Sequence, residues 1–262
     1  MAELFAGFAS LPPVPVPDDL VAEAGSLDIA FDPGDLDRLS RYLAMLFHAN
    51  RHMNLTAVRD ADEAWMRHIF DSLTLVPYIA SADAKCVIDV GSGAGLPGMV
   101  LAIAMPQVRF TLLESTGKKA RFLEAVARVL DLDNIAVVND RAESVGRDRA
   151  NHREKYEIVT ARAVGGLPVL LELTIPLAVM GGHVLAVKGR RAKEEINSAQ
   201  AALRLLHARV VDTVRTPTGT IVIVEKQRRT PRVYPRSPGE PKRAPLGGKA
   251  PADSRTDHEG GC

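Results

Sequence analysis

The stretch VIDVGSGAGLPG, residues 87–98, runs a short strand into a loop of glycines separated by small side chains, and then into an apolar helix. A strand that feeds a helix through a tight loop belongs to a parallel sheet, because the helix must pack back on the sheet before the next strand can lie beside the first. The chain repeats the unit. Runs rich in Val, Ile and Leu at 85–90, 107–114, 134–139, 156–161 and 182–188 alternate with helical periodicity at 96–105, 117–132, 142–145 and 167–179. The strand runs are continuously apolar rather than alternating, as expected of strands buried on both faces, so helices should cover both sides of the sheet.

The end of the chain departs from an all-parallel dinucleotide fold. After a helical stretch at 192–208 come RVVDTV, the turn-rich RTPTG and TIVIVEK, which read as an antiparallel hairpin. A doubly wound α/β sheet closed by such a hairpin is the class I S-adenosylmethionine-dependent methyltransferase architecture. Two amphipathic helices precede it. Asp32 and Pro33 offer an N-cap and a proline at the first helical position, followed by the stripe Leu36, Leu39, Leu43, Leu46 and Phe47. A second helix, from about 60 to 76, carries Trp65, Ile69 and Leu73 on its inner side. With 262 residues, 46% of them apolar, the chain can bury one good-sized core. The expected organisation is a flexible Pro-rich arm (1–30), a helical cap (31–80), a Rossmann-like catalytic domain (81–226) and a basic, disordered tail (227–262).

Several classes drop out. The N-terminus has a Pro-rich middle and no basic leader, and no apolar run is long enough to span a bilayer. Cys86 and Cys262 are the only cysteines, so neither a disulfide framework nor a Cys-x-x-Cys metal knuckle is available. The expectation is a cytoplasmic monomer without metal or membrane attachment. From Lys226 onward nine Lys and Arg stand against four acids, while the first 225 residues hold 24 bases and 28 acids. A Pro/Gly/Ser-broken basic tail is either a solvated extension or an arm for polyanions.

The glycine loop has two spellings. Gly93, Gly95 and Gly98 give the pattern of a pyrophosphate loop, whereas Asp89, Gly91, Gly93 and Gly95 give Asp-x-Gly-x-Gly-x-Gly, the pattern of a loop for S-adenosylmethionine. Asp89 separates them: a carboxylate at the strand end repels pyrophosphate but suits a ligand bearing ammonium and sulfonium groups. Glu114, at the end of the second strand, suits ribose hydroxyls in either ligand. The rivals are an NAD-dependent dehydrogenase and a non-catalytic RNA-binding or assembly factor on the same fold.

The ordered set NLTAVRD (54–60), RHIFDS (67–72), DVGSGAGLPG (89–98), GKKARFL (117–123), RAESV (141–145), ARAV (161–164) and VKG (187–189) resembles the bacterial small-subunit rRNA guanine-N7 methyltransferase G family, also called glucose-inhibited division protein B, over about residues 33–226. The tail's YPRSPGEPKRAPL is similar to a Tyr-Pro-Arg-x-x-Gly-x-Pro ending of that family, with Glu240 where Thr is more usual. The resemblance implies 16S rRNA of the small ribosomal subunit as substrate. It also implies S-adenosylmethionine contacts at Gly91, Leu96, Glu114, Ser115, Thr116, Ala142, Glu143 and Arg162.

Guanine N7 presents an in-plane lone pair and need lose no proton, so positioning should dominate catalysis. The fourth strand ends TARAVGG, without the Asp/Asn-Pro-Pro-aromatic box used for exocyclic amines, and no Cys stands at the end of the fourth or fifth strand. Arg162 is the candidate catalytic group, holding the cofactor carboxylate, a phosphate or guanine O6; the alternative is a surface pair with Glu143 or Glu157. His68 and Asp71, three apart on one helical face, are either an acid/base pair or a clip fastening the cap. Lys118, Lys119, Lys188, Arg228, Arg229, Arg232 and Arg236 are the candidate RNA contacts.

Overall fold

The computed structural model describes residues 5–248. Strands β1 (Cys86–Val90), β2 (Arg109–Leu113), β3 (Ile135–Val138), β4 (Tyr156–Arg162), β5 (Ala178–Lys188), β6 (Ala208–Arg215) and β7 (Thr220–Lys226) form one sheet in the order β3-β2-β1-β4-β5-β7-β6. The first five run parallel, and β7 lies antiparallel between β5 and β6. Strand order reverses between β1 and β4, so a crevice opens at their carboxyl ends, where open α/β sheets bind ligands.

The helices are α1 (Leu20–Gly25), α2 (Asp35–Met53), α3 (61–73, with π geometry over Trp65–Phe70), α4 (Val76–Ser81), α5 (Gly98–Ala104), α6 (Gly117–Val129), α7 (Ala142–Val145), α8 (Leu167–Thr174), α9 (Ala192–Ser198), α10 (Gln200–Leu206) and α11 (Glu240–Arg243). None of the described helices is long and apolar enough to cross a membrane. Leu39, Leu43 and Leu46 of α2 and Trp65, Ile69 and Leu73 of α3 are fully buried in one core with Met99, Val100 and Phe122. The cap is therefore packed into the domain. Helix α2 starts at Asp35, later than the Asp32–Pro33 pattern suggests, because Gly34 takes left-handed geometry at φ +96 and interrupts a helix begun at Pro33. Helix α8 stops at Thr174 rather than continuing to 179: Ile175 still has helical dihedrals and donates to Leu171 O, but Pro176 has no N–H with which to continue the ladder. The 192–208 stretch breaks at Ala199, where Ser198 and Gln200 side chains bond the carbonyls of Glu195 and Ile196.

Two expectations for the ends need correction. The Pro-rich arm is bound along the cap. Phe8 and Leu20 are buried, the Val14 N–H donates to Ser40 O, and Trp65 Nε1 donates to Pro15 O at 2.7 Å. An extended Pro-rich segment has no internal hydrogen bonds, so its backbone groups are open to partners on a neighbouring helix. The basic tail is likewise no solvated extension over 227–248. Arg153, 7% exposed, donates to the carbonyls of Thr230, Pro231 and Tyr234, and Arg147 donates to Pro235 O. Arg236 forms a two-pronged pair with the fully buried Glu172, at 2.8 and 2.6 Å, and adds its backbone N–H. The tail's charge is thus partly consumed in holding a strap against the domain. Residues 249–262 of the expected tail lie outside the described residues.

The glycine loop is set by one carboxylate. Asp89 has no exposed surface; Oδ1 accepts from the Thr160 hydroxyl of β4 at 2.9 Å, and Oδ2 from the Gly98 N–H at 3.2 Å. It cannot reach a ligand in the crevice, contrary to the expectation of a direct cofactor contact. It joins β1, β4 and the start of α5 beneath the loop. A Cβ on Gly98 would lie 2.4 Å from Leu112 Cδ2, so only glycine lets α5 start this close to the sheet. Burial pushes the Asp89 carboxyl up to about 6, against the opposing hydrogen bonds from Thr160 and Gly98.

Arg236→Ala should leave Glu172 buried and unpaired, lowering the unfolding free energy by about 3 to 5 kcal/mol. Adding Glu172→Leu should recover most of that in urea titrations, and an unaltered midpoint for Arg236→Ala would show that the pair contributes nothing. For Asp89 the folded pKa lies above the unfolded one. Its contribution to stability is full below about pH 4 and is lost as pH rises through about 6. Asn can fill both positions without the charge, its oxygen accepting the Gly98 N–H and its amide donating to a Thr160 hydroxyl turned to accept. Relative to the parent, Asp89→Asn should therefore gain stability between pH 4 and 7 by something on the order of 3 kcal/mol, and parallel stability–pH curves would refute the account.

Candidate active site

Two clefts meet at the crevice. The first lies over the carboxyl ends of β1 and β2, walled by Val90, Gly91, Ser115, Asp140, Arg141, Ala142, Glu143 and, from the strap, Pro241 and Lys242. Gly91 has φ +73, and a Cβ there would meet Val164 Cγ2 at 3.0 Å, so the loop passes close under the β4–α8 connection only as glycine. Glu114 is buried; its two oxygens accept the Gly93 N–H at 2.9 Å and the Thr116 N–H at 2.6 Å. A carboxylate has about four lone-pair sites, so acceptor capacity remains for hydroxyls. Glu143 accepts from Gly239 N–H and Arg141, which fastens the strap to the cleft. Burial raises its pKa, but these hydrogen bonds outweigh it and the net direction is down.

The second cleft lies on the other side of the β4 end, between the cap and the hairpin. Arg162, its side chain 20% exposed, projects into it. Its NH1 donates to Arg67 O at 3.0 Å and to Asp71 Oδ2 at 3.1 Å, and its NH2 lies 3.3 Å from His68 Nδ1. His68 Nε2 lies 2.7 Å from Thr56 Oγ1, which also accepts the Val58 N–H. The partners fix the tautomer: Nδ1 accepts from arginine and Nε2–H donates to threonine. Burial and then the nearby Arg162 charge lower the His68 pKa to about 4, so the ring is neutral at pH 7. The other Asp71 oxygen accepts from the Thr216 and Thr218 hydroxyls at the hairpin tip. His68 and Asp71 form a clip, and the clip ends on Arg162. Ala163, between the two clefts, has φ +59, a left-handed geometry that turns the chain sharply after Arg162.

The first cleft brings Gly91, Ser115, Ala142 and Glu143 together, with Glu114 behind its rim. Gly95 and Leu96 are buried, with Leu96 in the core beneath the cap, and Thr116 caps α6 with its N–H engaged by Glu114. Arg162 pairs with Asp71 rather than Glu143 or Glu157, which excludes both alternative surface pairs. Lys188 is corrected as an exposed RNA contact: it is 7% exposed, donates to Gly165 O at 2.6 Å and pairs with Glu195 at 2.7 Å, because β5 ends beneath the β4–α8 loop. Arg236 is corrected too, being engaged by Glu172. Lys118, Arg228, Arg229 and Arg232 are exposed or nearly so, Lys119 is half-buried, and none of the five lines either cleft. Sequence reasoning missed Tyr42, whose buried hydroxyl donates to Ala94 O and steadies the glycine loop from the cap. It also missed Thr160, Thr218, Pro241 and Lys242, whose neighbours are remote in sequence.

Similarity to known proteins follows the same geometry. Residues 35–222 match the family described as rRNA small subunit methyltransferase G. The chain is 42% identical over 224 residues to the ribosomal RNA small subunit methyltransferase G of Sorangium cellulosum, covering 85% of this chain and 93% of that one. It is 37% identical to the protein of the same name from Staphylococcus carnosus, covering 87% and 97%. Among solved structures, a methyltransferase from Geobacter sulfurreducens shares the fold with a TM-score of 0.52 at 15% identity, over 80% of this chain and 98% of that one. A putative O-methyltransferase from Klebsiella pneumoniae does so with a TM-score of 0.51 at 14% identity over the same shares. The fold is that of the class I methyltransferases, and the chain belongs to the rRNA small subunit methyltransferase G family.

Proposed function

We propose that this protein transfers the methyl group of S-adenosylmethionine to N7 of a guanine in 16S rRNA, acting in the cytoplasm as a single copy on the small ribosomal subunit. The reading is carried by the meeting of the two clefts across residues 162–164, inside the span that matches the family. S-adenosylmethionine, when bound, supplies an electrophilic methyl group on a sulfonium. The first cleft fits such a group: a glycine at positive φ at its edge where a Cβ would crowd the wall, apolar Val90 and Ala142, and the carboxylates of Asp140 and Glu143. Gly91, Ser115, Ala142 and Glu143 would hold it, with the remaining lone pairs of Glu114 for its hydroxyls.

The second cleft is built to position an acceptor. Among the described residues His68 is the only imidazole lining it; both nitrogens are engaged and the ring is neutral, so it is no free base. That suits an acceptor atom that already carries its lone pair. The Arg162 NH1 uses both protons on Arg67 O and Asp71, and NH2 uses one on His68. One NH2 proton and Nε–H remain for guanine O6, a phosphate or the cofactor carboxylate.

Transfer of labelled methyl groups to small-subunit rRNA, offered naked and within the assembled subunit and followed by mapping of the product, should place label at one guanine N7. Label at another atom, or none, overturns the proposal. Arg162→Ala should slow transfer about a hundredfold or more, the scale of losing one preorganised charged donor, when assayed well below the reduced melting temperature expected of a variant that strands the buried Asp71 carboxylate. Calorimetric titration with S-adenosylhomocysteine beside RNA binding then shows which of the two ligands Arg162 holds. Parental transfer rates in this variant would remove Arg162 from the mechanism.

A further inference from the structure

Beyond the second cleft, and sharing Arg67 and Thr218 with it, lies a third cleft of about 630 Å³ at the tip of the β6–β7 hairpin. Three elements converge there: Arg67 from α3, Arg190 from the turn after β5, and Arg215 from the end of β6. The remaining lining is Thr216 to Thr220, with no acid. All three arginines are exposed. Among the described residues Arg190 and Arg215 have no carboxylate partner, and Arg67 pairs only with exposed Glu63, one helical turn away. Such a pair is worth about 0 to 1 kcal/mol and is readily displaced.

Three arginines on one cleft whose lining includes no acid leave an excess of positive charge there, an arrangement that favours an anionic occupant. The cleft is also preorganised. Asp71 accepts from the Thr216 and Thr218 hydroxyls, and the Gly219 N–H bonds Thr216 Oγ1 at 3.0 Å. A Cβ on Gly219 would lie 2.3 Å from Lys188 O, so the hairpin tip sits directly on the end of β5. The carboxylate that holds Arg162 thus also holds the tip carrying Arg215. Arg67 lines both clefts, and its carbonyl accepts from Arg162.

Resting on the proposed function, we infer that Arg67, Arg190 and Arg215 form a cradle for phosphodiester groups of the substrate RNA, gripping the backbone beside the nucleotide presented to Arg162. Guanidinium groups bind phosphate oxygens in pairs, and each neutralised phosphate adds to the salt dependence of binding.

The test uses the full-length chain carrying Arg190→Ala and Arg215→Ala together, with a transcript of small-subunit rRNA as probe. Binding is measured across a KCl titration. The slope of log affinity against log salt should fall by about 0.7 to 0.9 for each phosphate that the variant no longer neutralises. KM for the transcript should rise at least tenfold with kcat near the parental value, and S-adenosylhomocysteine affinity and melting temperature should not change. The Arg190→Lys/Arg215→Lys protein should keep the parental slope, since a cradle of charge tolerates lysine where a folding contact would not. An alanine variant with parental slope and KM overturns the cradle, and does so even where the parent methylates rRNA. A reduced slope in a protein whose parent transfers no methyl group to rRNA retains the cradle and rejects the enzymatic reading instead.

Discussion

A carboxylate without exposed surface joins the two strands between which the sheet reverses. Asp89 accepts from Thr160 of β4 and from the first N–H of α5, so β1, β4 and the helix that follows the glycine loop are held at one point. The arrangement satisfies an otherwise open helix N-terminus with a group that complements its dipole. It leaves the loop above the carboxylate to pass close under Val164. The opening between them is the crevice, so the site's shape follows from how β1 and β4 are tied beneath it.

Asp71 does comparable work on the other side of the β4 end. One oxygen engages Arg162 and the other the hydroxyls of the hairpin tip, so cap, central sheet and hairpin share a buried acceptor. Removing either partner would strand a buried charge, which is costlier than any surface pair. The π stretch of α3 places Arg67 O within reach of the same guanidinium. Irregular helix geometry at this point is where such segments commonly occur, beside a functional group. His68 is neutral for the same reason that the cluster is stable: it is buried against a cation and serves as an acceptor.

The strap over 227–248 closes the first cleft from outside. Glu172 and Arg153 lie in the body of the domain, yet their partners are Arg236 and the carbonyls of 230–234. Pro241 and Lys242 then reach the cleft wall. The C-terminal segment is part of the wall of the first cleft rather than an appendage to the domain.

The alternation of apolar strands and amphipathic helices, the glycine loop and the terminal hairpin are local signals, and they suffice for a doubly wound parallel sheet ending in a hairpin and for the crevice, because periodicity and turn chemistry are written in neighbouring residues. The stripe on α2, the acidic ends of β1 and β2, and Arg162 at the end of β4 are legible for the same reason. Which way those groups point is not. Asp89 turns under the loop, and Arg162 turns to the cap rather than to Glu143. Lys188 and Arg236 surrender their charges to Glu195 and Glu172. A charge run read along the chain resembles a solvated tail because the carboxylates that pair with it lie tens of residues away. Only tertiary packing brings Arg67, Arg190 and Arg215 to one cleft, and sequence spacing alone cannot signal that convergence, since three separate elements carry them. Sequence determines the elements and their order through local periodicity; burial and long-range pairing decide which charged groups remain free to meet a ligand.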